Sequence, residues 1–179
     1  MKRLVCLATA AGLLGCAVAH AYPQRPDGPV LDLADIFPAK DEGALNQRLT
    51  DYWQTSGNAF VVVSVKSLNG QSIEDYARGL FEEWGIGDAR KSRGILLLVA
   101  PTERKVRIEV GCGLIATVSD DQAAAIIRDD MIPTYAEGEL EKGTLAGVDA
   151  VIGAMKTFKP VNDNTPHAAQ CRGVTKKAA

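Results

Sequence analysis

The sequence predicts an α/β fold, a three-layer α/β/α sandwich on a small mixed sheet, from three observations. Segments 59–65 (AFVVVSV) and 94–100 (GILLLVA) are almost continuously apolar, as is typical of strands buried on both faces. A helical pattern separates them, so they should run parallel. Segment 106–110 follows a short turn and alternates apolar with charged residues, which indicates an antiparallel strand at or near the sheet edge. The predicted order is α-β-α-β-β-α-α.

The first two helices are placed by their apolar stripes and their ends. The first stops at Gly57, because glycine readily takes the left-handed conformation that follows a helix. The second begins at Ser72, with Asp75 three residues later, and ends at the glycines that follow Trp84. The first helix presents one face made of Leu45, Leu49, Tyr52 and Trp53.

Two further helices follow the third strand. Ser119 and Gln122 form a capping box, in which each side chain satisfies a backbone N–H group at the helix start. Pro133 is expected to interrupt this helix, because proline lacks the N–H that a helix interior requires. The last helix covers about 143–158, where apolar residues recur at helical spacing.

Residues 1–21 are predicted to be a signal peptide. Lys2 and Arg3 precede an apolar run, and the small residues of Ala19-His20-Ala21 offer a cleavage site before Tyr22. An alternative is cleavage before Cys16, within Leu-Leu-Gly-Cys, which would leave a lipid on that cysteine. Both alternatives place the mature chain outside the cytoplasm, periplasmic or secreted in the first case and membrane-anchored in the second.

The remaining chain divides into three segments. Residues 22–29 are a proline-rich extended lead-in, 30–158 form the α/β domain, and 159–179 lack apolar periodicity and are predicted to be disordered. The mature chain has no segment long enough to span a membrane. A net charge of −2 gives no sign of nucleic-acid binding.

Two cysteines, Cys112 and Cys171, remain if cleavage precedes Tyr22. In an oxidising compartment they either form a disulfide bond or stay as two thiols, since sequence does not report the distance between them. Cys112 is a poor candidate for a phosphatase nucleophile, because Val118 stands six places on, the nearest downstream arginine is Arg128 within a helix, and no activating base accompanies it. Gly111 and Gly113 beside it are interpreted as a tight corner, where glycine permits unusual backbone angles or close packing.

Three motifs occur in order along the chain: Asp32-Leu33-Ala34, the segment 68–87 that ends in Trp-Gly-Ile-Gly, and RIEVGCGL at 107–114 followed by Asp120. Together they resemble the motifs of the TPM domain family. The residues of the two longer motifs that carry the resemblance are Trp84, Gly85, Gly87, Arg107, Gly111 and Gly113. Two positions depart from the family pattern: Cys112 stands where an aromatic residue is usual, and Ile115 where glutamate is usual.

The resemblance implies an extracytoplasmic accessory protein. Plant members of the family act in the thylakoid lumen, assist photosystem repair and have been associated with phosphatase activity, animal members modulate a membrane receptor, and some relatives bind calcium. If the usual glutamate binds a cation in those relatives, Ile115 removes one ligand here.

Carboxylates are the chain's main candidates for a metal site. We expect the 85–93 and 111–120 loops to share one rim of the sheet, which would gather carboxylate oxygens suited to Ca²⁺. The expected ligands are Asp32, Asp88, Glu109 and Asp120. The plainer interpretation is a set of solvated helix caps, with Arg107 and Glu109 forming a surface ion pair.

The sequence offers few residues that could act as a general acid or base. Its two histidines, His20 and His167, fall at the cleavage site and in the tail, so a Ser–His or Cys–His pair has no base in the core. We therefore expect a non-catalytic envelope accessory or interaction module with an unidentified membrane or envelope partner. The alternative is a weak, cation-assisted phosphatase in which Asp88 and Asp120 hold the metal and Arg107 steadies the phosphate.

Overall fold

The structure is a computed structural model that describes residues 22–87 and 92–157. The predicted signal peptide with Cys16, the predicted ligand Asp88, and the tail 159–179 with Cys171 lie outside the described residues.

The chain forms a four-stranded mixed sheet in the order β1-β2-β3-β4. The first three strands run parallel, and the fourth is antiparallel to its neighbour and lies at the edge. The bounds are β1 Val30–Asp32, β2 Ala59–Ser64, β3 Gly94–Ala100 and β4 Lys105–Val110. The predicted element order therefore lacked one strand, the short β1 that precedes the first helix.

Five α-helices accompany the sheet in the described ranges: α1 Ala39–Ser56, α2 Ile73–Glu83, α3 Asp120–Ile126, α4 Ile132–Ala136 and α5 Leu140–Met155. Gly57 follows α1 with φ of 68°, and Ser72 accepts a hydrogen bond from the Asp75 N–H at the start of α2, as predicted. Pro133 does not interrupt the third predicted helix. A π-helix, Ile127–Met131, joins α3 to α4, and the proline sits in the first turn of α4, where its missing N–H costs little.

Helices cover both faces of the sheet, which confirms the three-layer architecture. On one face, α1, α3 and α5 pack on alternate strand residues such as Phe60, Leu97 and Ile108, and we call this the first core. On the other face, α2 packs on residues such as Val63 and Leu98, and we call this the second core. Fully burying one such side chain contributes about 1.5–3 kcal/mol, so each core is a large stabilising term.

One residue of the predicted α1 stripe lies outside the core. Leu45 and Leu49 are buried as expected, but Trp53 is 58% exposed. None of the helices within the described ranges is both long and apolar enough to cross a membrane.

Candidate functional site

The two loops expected to share a rim do lie together. The end of β4 pairs with the start of β3, and the Gly111 N–H donates to the Gly94 carbonyl at 2.7 Å. Two residues further on, the Gly113 N–H donates to the Ser92 carbonyl at 3.2 Å. The described residues of both loops therefore meet where β2 and β3 begin, an arrangement that we call the rim.

Glycines allow backbone to pack directly on backbone at the rim. A Cβ atom on Gly94 would lie 2.4 Å from the Ile86 carbonyl oxygen, and one on Gly111 would lie 2.2 Å from that of Ser92. Neither space accepts a side chain. Gly111 has an ordinary φ of −62°, so close packing rather than an unusual backbone angle explains this glycine.

The tryptophan of the Trp-Gly-Ile-Gly motif anchors the lead-in to the rim. Trp84 is buried, and its indole N–H donates to the Pro23 carbonyl at 2.9 Å. The Arg25 guanidinium in turn donates to the Trp84 carbonyl. Gly85 follows with φ of 58°, a conformation that glycine adopts without a steric penalty.

A cleft of about 470 Å³, which we call the rim cleft, opens beside these contacts. The lead-in residues 25–29 form one wall, and α1 forms another with Leu49, Thr50 and Trp53. Phe60, Gly87 and Arg93 belong to the sheet side of its lining. Its volume lies within the range of about 300–1,000 Å³ that is usual for ligand sites. Its charged lining residues are Arg25, Asp27 and Arg93.

The sequence interpretation missed the rim cleft because it assigned Trp53 to the buried stripe. At 100° per residue, Trp53 lies about 80° around the helix from Leu45, at the edge of that stripe. The angle is the signal that identifies it as a boundary residue. No comparable signal predicts that the lead-in forms a wall of the cleft, because this depends on the contact between Trp84 and Pro23, which are far apart in the sequence.

Asp32 does not join the rim, so this part of the predicted metal site is wrong. It ends β1 beside Ser64 at the end of β2, whereas the rim lies at the opposite ends of β2 and β3. The Asp32 carboxylate accepts hydrogen bonds from the N–H groups of Ile36 and Phe37 at 3.1 and 2.8 Å, and from the Ser64 hydroxyl. Asp32 thus stabilises the turn between β1 and α1.

Glu109 and Asp120 belong to opposite faces of the sheet. The Arg107 guanidinium donates to the Glu109 carboxylate at 3.0 Å, which confirms the predicted ion pair. Both residues lie opposite second-core residues in the β3–β4 register. Asp120 begins α3, whose buried Ala123 belongs to the first core. The described contacts therefore do not bring Glu109 and Asp120 together, and their part in a metal site stays a prediction.

The loop that follows the rim supplies the predicted capping box. The Ser119 hydroxyl accepts from the Gln122 N–H, and the Gln122 side chain accepts from the Ser119 N–H at 3.0 Å. Ile115, at the position where the family usually has glutamate, is 45% exposed. Cys112 is disulfide-bonded, and its pairing with Cys171 stays a prediction because Cys171 lies outside the described residues.

Within residues 22–87 and 92–157, acids, histidines and cysteines do not gather in groups of three or more that could hold a metal ion. Asp88, the remaining predicted ligand, lies outside those ranges. Calcium binding at the rim therefore stays a prediction from the sequence.

Marked pKa shifts arise away from the rim cleft. The Ser72 hydroxyl lowers the pKa of Asp75, and the Leu68 N–H lowers the pKa of Glu103. Burial raises the pKa of Tyr135 to about 12, although its hydrogen bond with Thr144 opposes that rise. Each of these shifts follows from a helix cap, a turn or core packing.

Comparison with known proteins identifies the family. The family model described as the TPM domain matches residues 30–154. The chain belongs to the TPM domain family. The match covers all four strands and nearly all of α5, so it spans the whole described sheet and both helical layers.

Solved structures resemble this TPM domain throughout. The N-terminal domain of a protein from P. gingivalis is 32% identical with a TM-score of 0.66, and the match covers 70% of this chain and 80% of that one. The BA42 protein from Bizionia argentinensis is 20% identical with a TM-score of 0.60, covering 74% of this chain and 91% of that one.

A third structure, the N-terminal domain of the cg2496 protein from Corynebacterium glutamicum, is 16% identical with a TM-score of 0.57 and covers 78% of this chain and 88% of that one. At such identities the last two comparisons concern the fold alone. None of the curated proteins compared with the chain matches it significantly.

Proposed function

We propose that this TPM-domain protein is a non-catalytic accessory module that binds a partner protein outside the cytoplasm through the rim cleft. The observation that carries the proposal is Trp53, a large aromatic residue that is 58% exposed and lines the rim cleft. Arg25 and Arg93 line the same cleft. Tryptophan and arginine are enriched among the residues that contribute most to protein interfaces, so the composition of the lining supports partner binding.

The walls of the rim cleft are held in place by the fold. Trp84 and Arg25 fix the lead-in through the contacts described above, and the Val62 N–H donates to the Pro29 carbonyl at 2.9 Å. Gly28 packs so closely on α1 that a Cβ atom there would lie 2.2 Å from the Asn46 side chain. A preformed cleft loses little conformational entropy when it binds a partner.

The positions of the charged groups support a non-catalytic role. The phosphatase alternative requires Arg107 to steady a phosphate held by a metal at Asp120. Arg107 is paired with Glu109 on the second-core face, while Asp120 begins a helix that packs on the first core. The described contacts do not bring the two groups together, and the Asp32 carboxylate accepts the hydrogen bonds of the β1–α1 turn.

Export is the part of the proposal that depends on residues 1–21. The predicted signal peptide would place the mature chain in the periplasm or outside the cell, and the alternative cleavage before Cys16 would anchor it to a membrane through lipid. Mass spectrometry of the mature N-terminus distinguishes the two. A chain that begins at Tyr22 supports ordinary export, and a lipidated Cys16 supports anchoring.

Calcium binding is tested separately from partner binding. A folded-state site of useful affinity would raise the melting temperature in millimolar Ca²⁺, because a ligand that binds only the native state stabilises it. An unchanged melting temperature would argue against such a site. Asp120→Ala should abolish any rise if that carboxylate is a ligand.

Photo-cross-linking tests the rim cleft directly. A benzophenone amino acid is placed at Thr50, which lines the cleft, or at Gln54, which is exposed on α1 outside it. In native envelope fractions, we expect one partner band from position 50, lost when Trp53→Ala is added, and no such band from position 54. Equal cross-linking from both positions, or a band unaffected by Trp53→Ala, would contradict the proposal.

A further inference from the structure

A second concavity of about 320 Å³ lies at the other end of the sheet, on the first-core face. The β3–β4 hairpin forms one side and α4 with the start of α5 forms the other, so we call it the hairpin groove. Its apolar lining residues are Val99, Pro101, Val106, Ile132, Tyr135, Ala136 and Leu140. It is separate from the rim cleft, with which it shares no lining residue.

The polar groups next to the hairpin groove are directed elsewhere. The Tyr135 hydroxyl is hydrogen-bonded to the Thr144 hydroxyl at 2.8 Å, which leaves the aromatic ring as its contribution to the lining. Lys105 also belongs to the lining of the groove, although it lies opposite the second-core residue Ala100 in the strand register, so that strand alternation directs its side chain towards the far face. Glu139, which precedes the lining residue Leu140, is paired with Lys142 at 3.0 Å.

Arg104 is the cation at the mouth of the hairpin groove. It lines the groove, is exposed, and its side chain makes no hydrogen bond or ion pair with the described residues. Arg104 also has a φ of 54°, a left-handed conformation that costs an arginine roughly 1 kcal/mol and a glycine nothing. The turn therefore holds a guanidinium beside an apolar groove at a position where glycine would be the more stable residue.

Ile132 is a second feature that packing does not explain. It lines the groove and is 45% exposed, although the adjacent Met131 is fully buried. An apolar side chain of this size at the edge of an apolar groove gains free energy when an alkyl chain covers it. The hairpin groove thus has hydrocarbon along its length and positive charge at one end.

We propose that the hairpin groove binds a single-chain anionic amphiphile, with the alkyl chain along Ile132 and Tyr135 and the anionic head at Arg104. Charge complementarity selects the occupant: the apolar lining residues favour hydrocarbon, and the cations of the lining, Arg104 and Lys105, favour a carboxylate. A volume near the lower end of the range for ligand sites suits one alkyl chain rather than a two-chain lipid.

Titration calorimetry with decanoate, below its aggregation concentration, tests the proposal on the mature chain. We expect saturable binding of one decanoate per chain, with decyltrimethylammonium of equal chain length binding at least tenfold more weakly. No decanoate binding, or equal affinity for the cation, would overturn the proposal. Binding to anionic vesicles without binding of free decanoate would also overturn it, in favour of a membrane-docking surface.

Two substitutions distinguish a specific site from general electrostatic attraction. Arg104→Gly removes the charge and relieves the positive φ, so the variant should melt at or above the wild-type temperature while it loses about tenfold in decanoate affinity. Lys40→Gln removes the same charge from an exposed residue of α1 that does not belong to the lining of the groove, so it should change the affinity by less than about twofold. Equal losses in both variants, or no loss in Arg104→Gly, would refute the arrangement.

Discussion

The two ends of the sheet use their distinctive residues differently. Where β1 and β2 end, the carboxylate of an acidic motif residue, Asp32, accepts hydrogen bonds from two backbone N–H groups and a serine hydroxyl. Where β2 and β3 begin, the motif residues are glycines and a buried tryptophan that bring backbone segments into contact. The motifs that identify the TPM family therefore build the fold at both ends. The exposed groups suited to binding lie beside them, in the rim cleft.

The largest expected effect is at the Asp32 end. Asp32→Ala removes the acceptor of the Ile36 and Phe37 N–H groups and of the Ser64 hydroxyl, so we expect the free energy of unfolding to fall by about 3 kcal/mol. Urea denaturation measures it. Asp51→Ala is the control, because Asp51 is exposed and the hydrogen bond described for its carboxylate comes from the Gln47 side chain, so the substitution should cost less than about 0.5 kcal/mol. Equal losses of unfolding free energy in Asp32→Ala and Asp51→Ala would contradict a structural role for Asp32.

At the rim, an added methyl group should also destabilise. Gly94→Ala places a Cβ atom against the Ile86 carbonyl, and backbone on both sides must move, so we expect a loss of about 2 kcal/mol. Gly43→Ala is the matched control, because a Cβ atom on Gly43 in α1 meets nothing within 4 Å and should stabilise the helix by about 0.5–1 kcal/mol. Thermal melts compare the two. A tolerated Gly94→Ala would mean that the rim packs more loosely than described.

Tyr135 offers a smaller effect that depends on pH. Its pKa is raised to about 12 in the folded protein, against about 10 in an unfolded chain, so its contribution to stability is complete below pH 10 and is lost as the pH rises through 12. Tyr135→Phe should cost about 1 kcal/mol at neutral pH, through the lost hydrogen bond with Thr144, and should flatten the decline between pH 10 and 12. Urea denaturation of the wild type and of Tyr135→Phe across that pH range checks both expectations. If the free energy of unfolding declined equally in the two proteins, the pKa shift of Tyr135 would be contradicted.

The Arg107–Glu109 ion pair should give the smallest effect. The two side chains are 30% and 21% exposed, so solvent screens their attraction, and a double-mutant cycle with alanine should give a coupling of about 0.5 kcal/mol that shrinks in 1 M salt. A coupling above about 2 kcal/mol would indicate that the pair has a larger role in the second core.

The sequence predicted the elements whose signal is local. Continuous apolar runs identified β2 and β3, alternation identified β4, and Ser72 and Ser119 marked helix starts that the structure confirms. β1 was missed because a three-residue strand is too short to show alternation. That omission caused the error at Asp32, because the parallel pairing of β1 with β2 sends the residue to the end of the sheet away from the rim.

The candidate site was predicted only in part, because positions that depend on long-range strand pairing and packing have no local signal in the sequence. The antiparallel β4 was enough to predict that the described residues of the 85–93 and 111–120 loops meet at one rim. The face on which each carboxylate lies depends on strand register and on the core into which α3 packs, and neither is encoded locally. Pro133 shows a similar limit, because a π-helix before it lets the chain remain helical to Ala136.

Hydrolysis of p-nitrophenyl phosphate, with millimolar Ca²⁺ or Mg²⁺, tests most directly whether the rim binds rather than catalyses. The account predicts no turnover above the buffer rate for the mature protein, with or without either cation. Turnover that depends on the cation and disappears in a folded Asp120→Ala variant would contradict it.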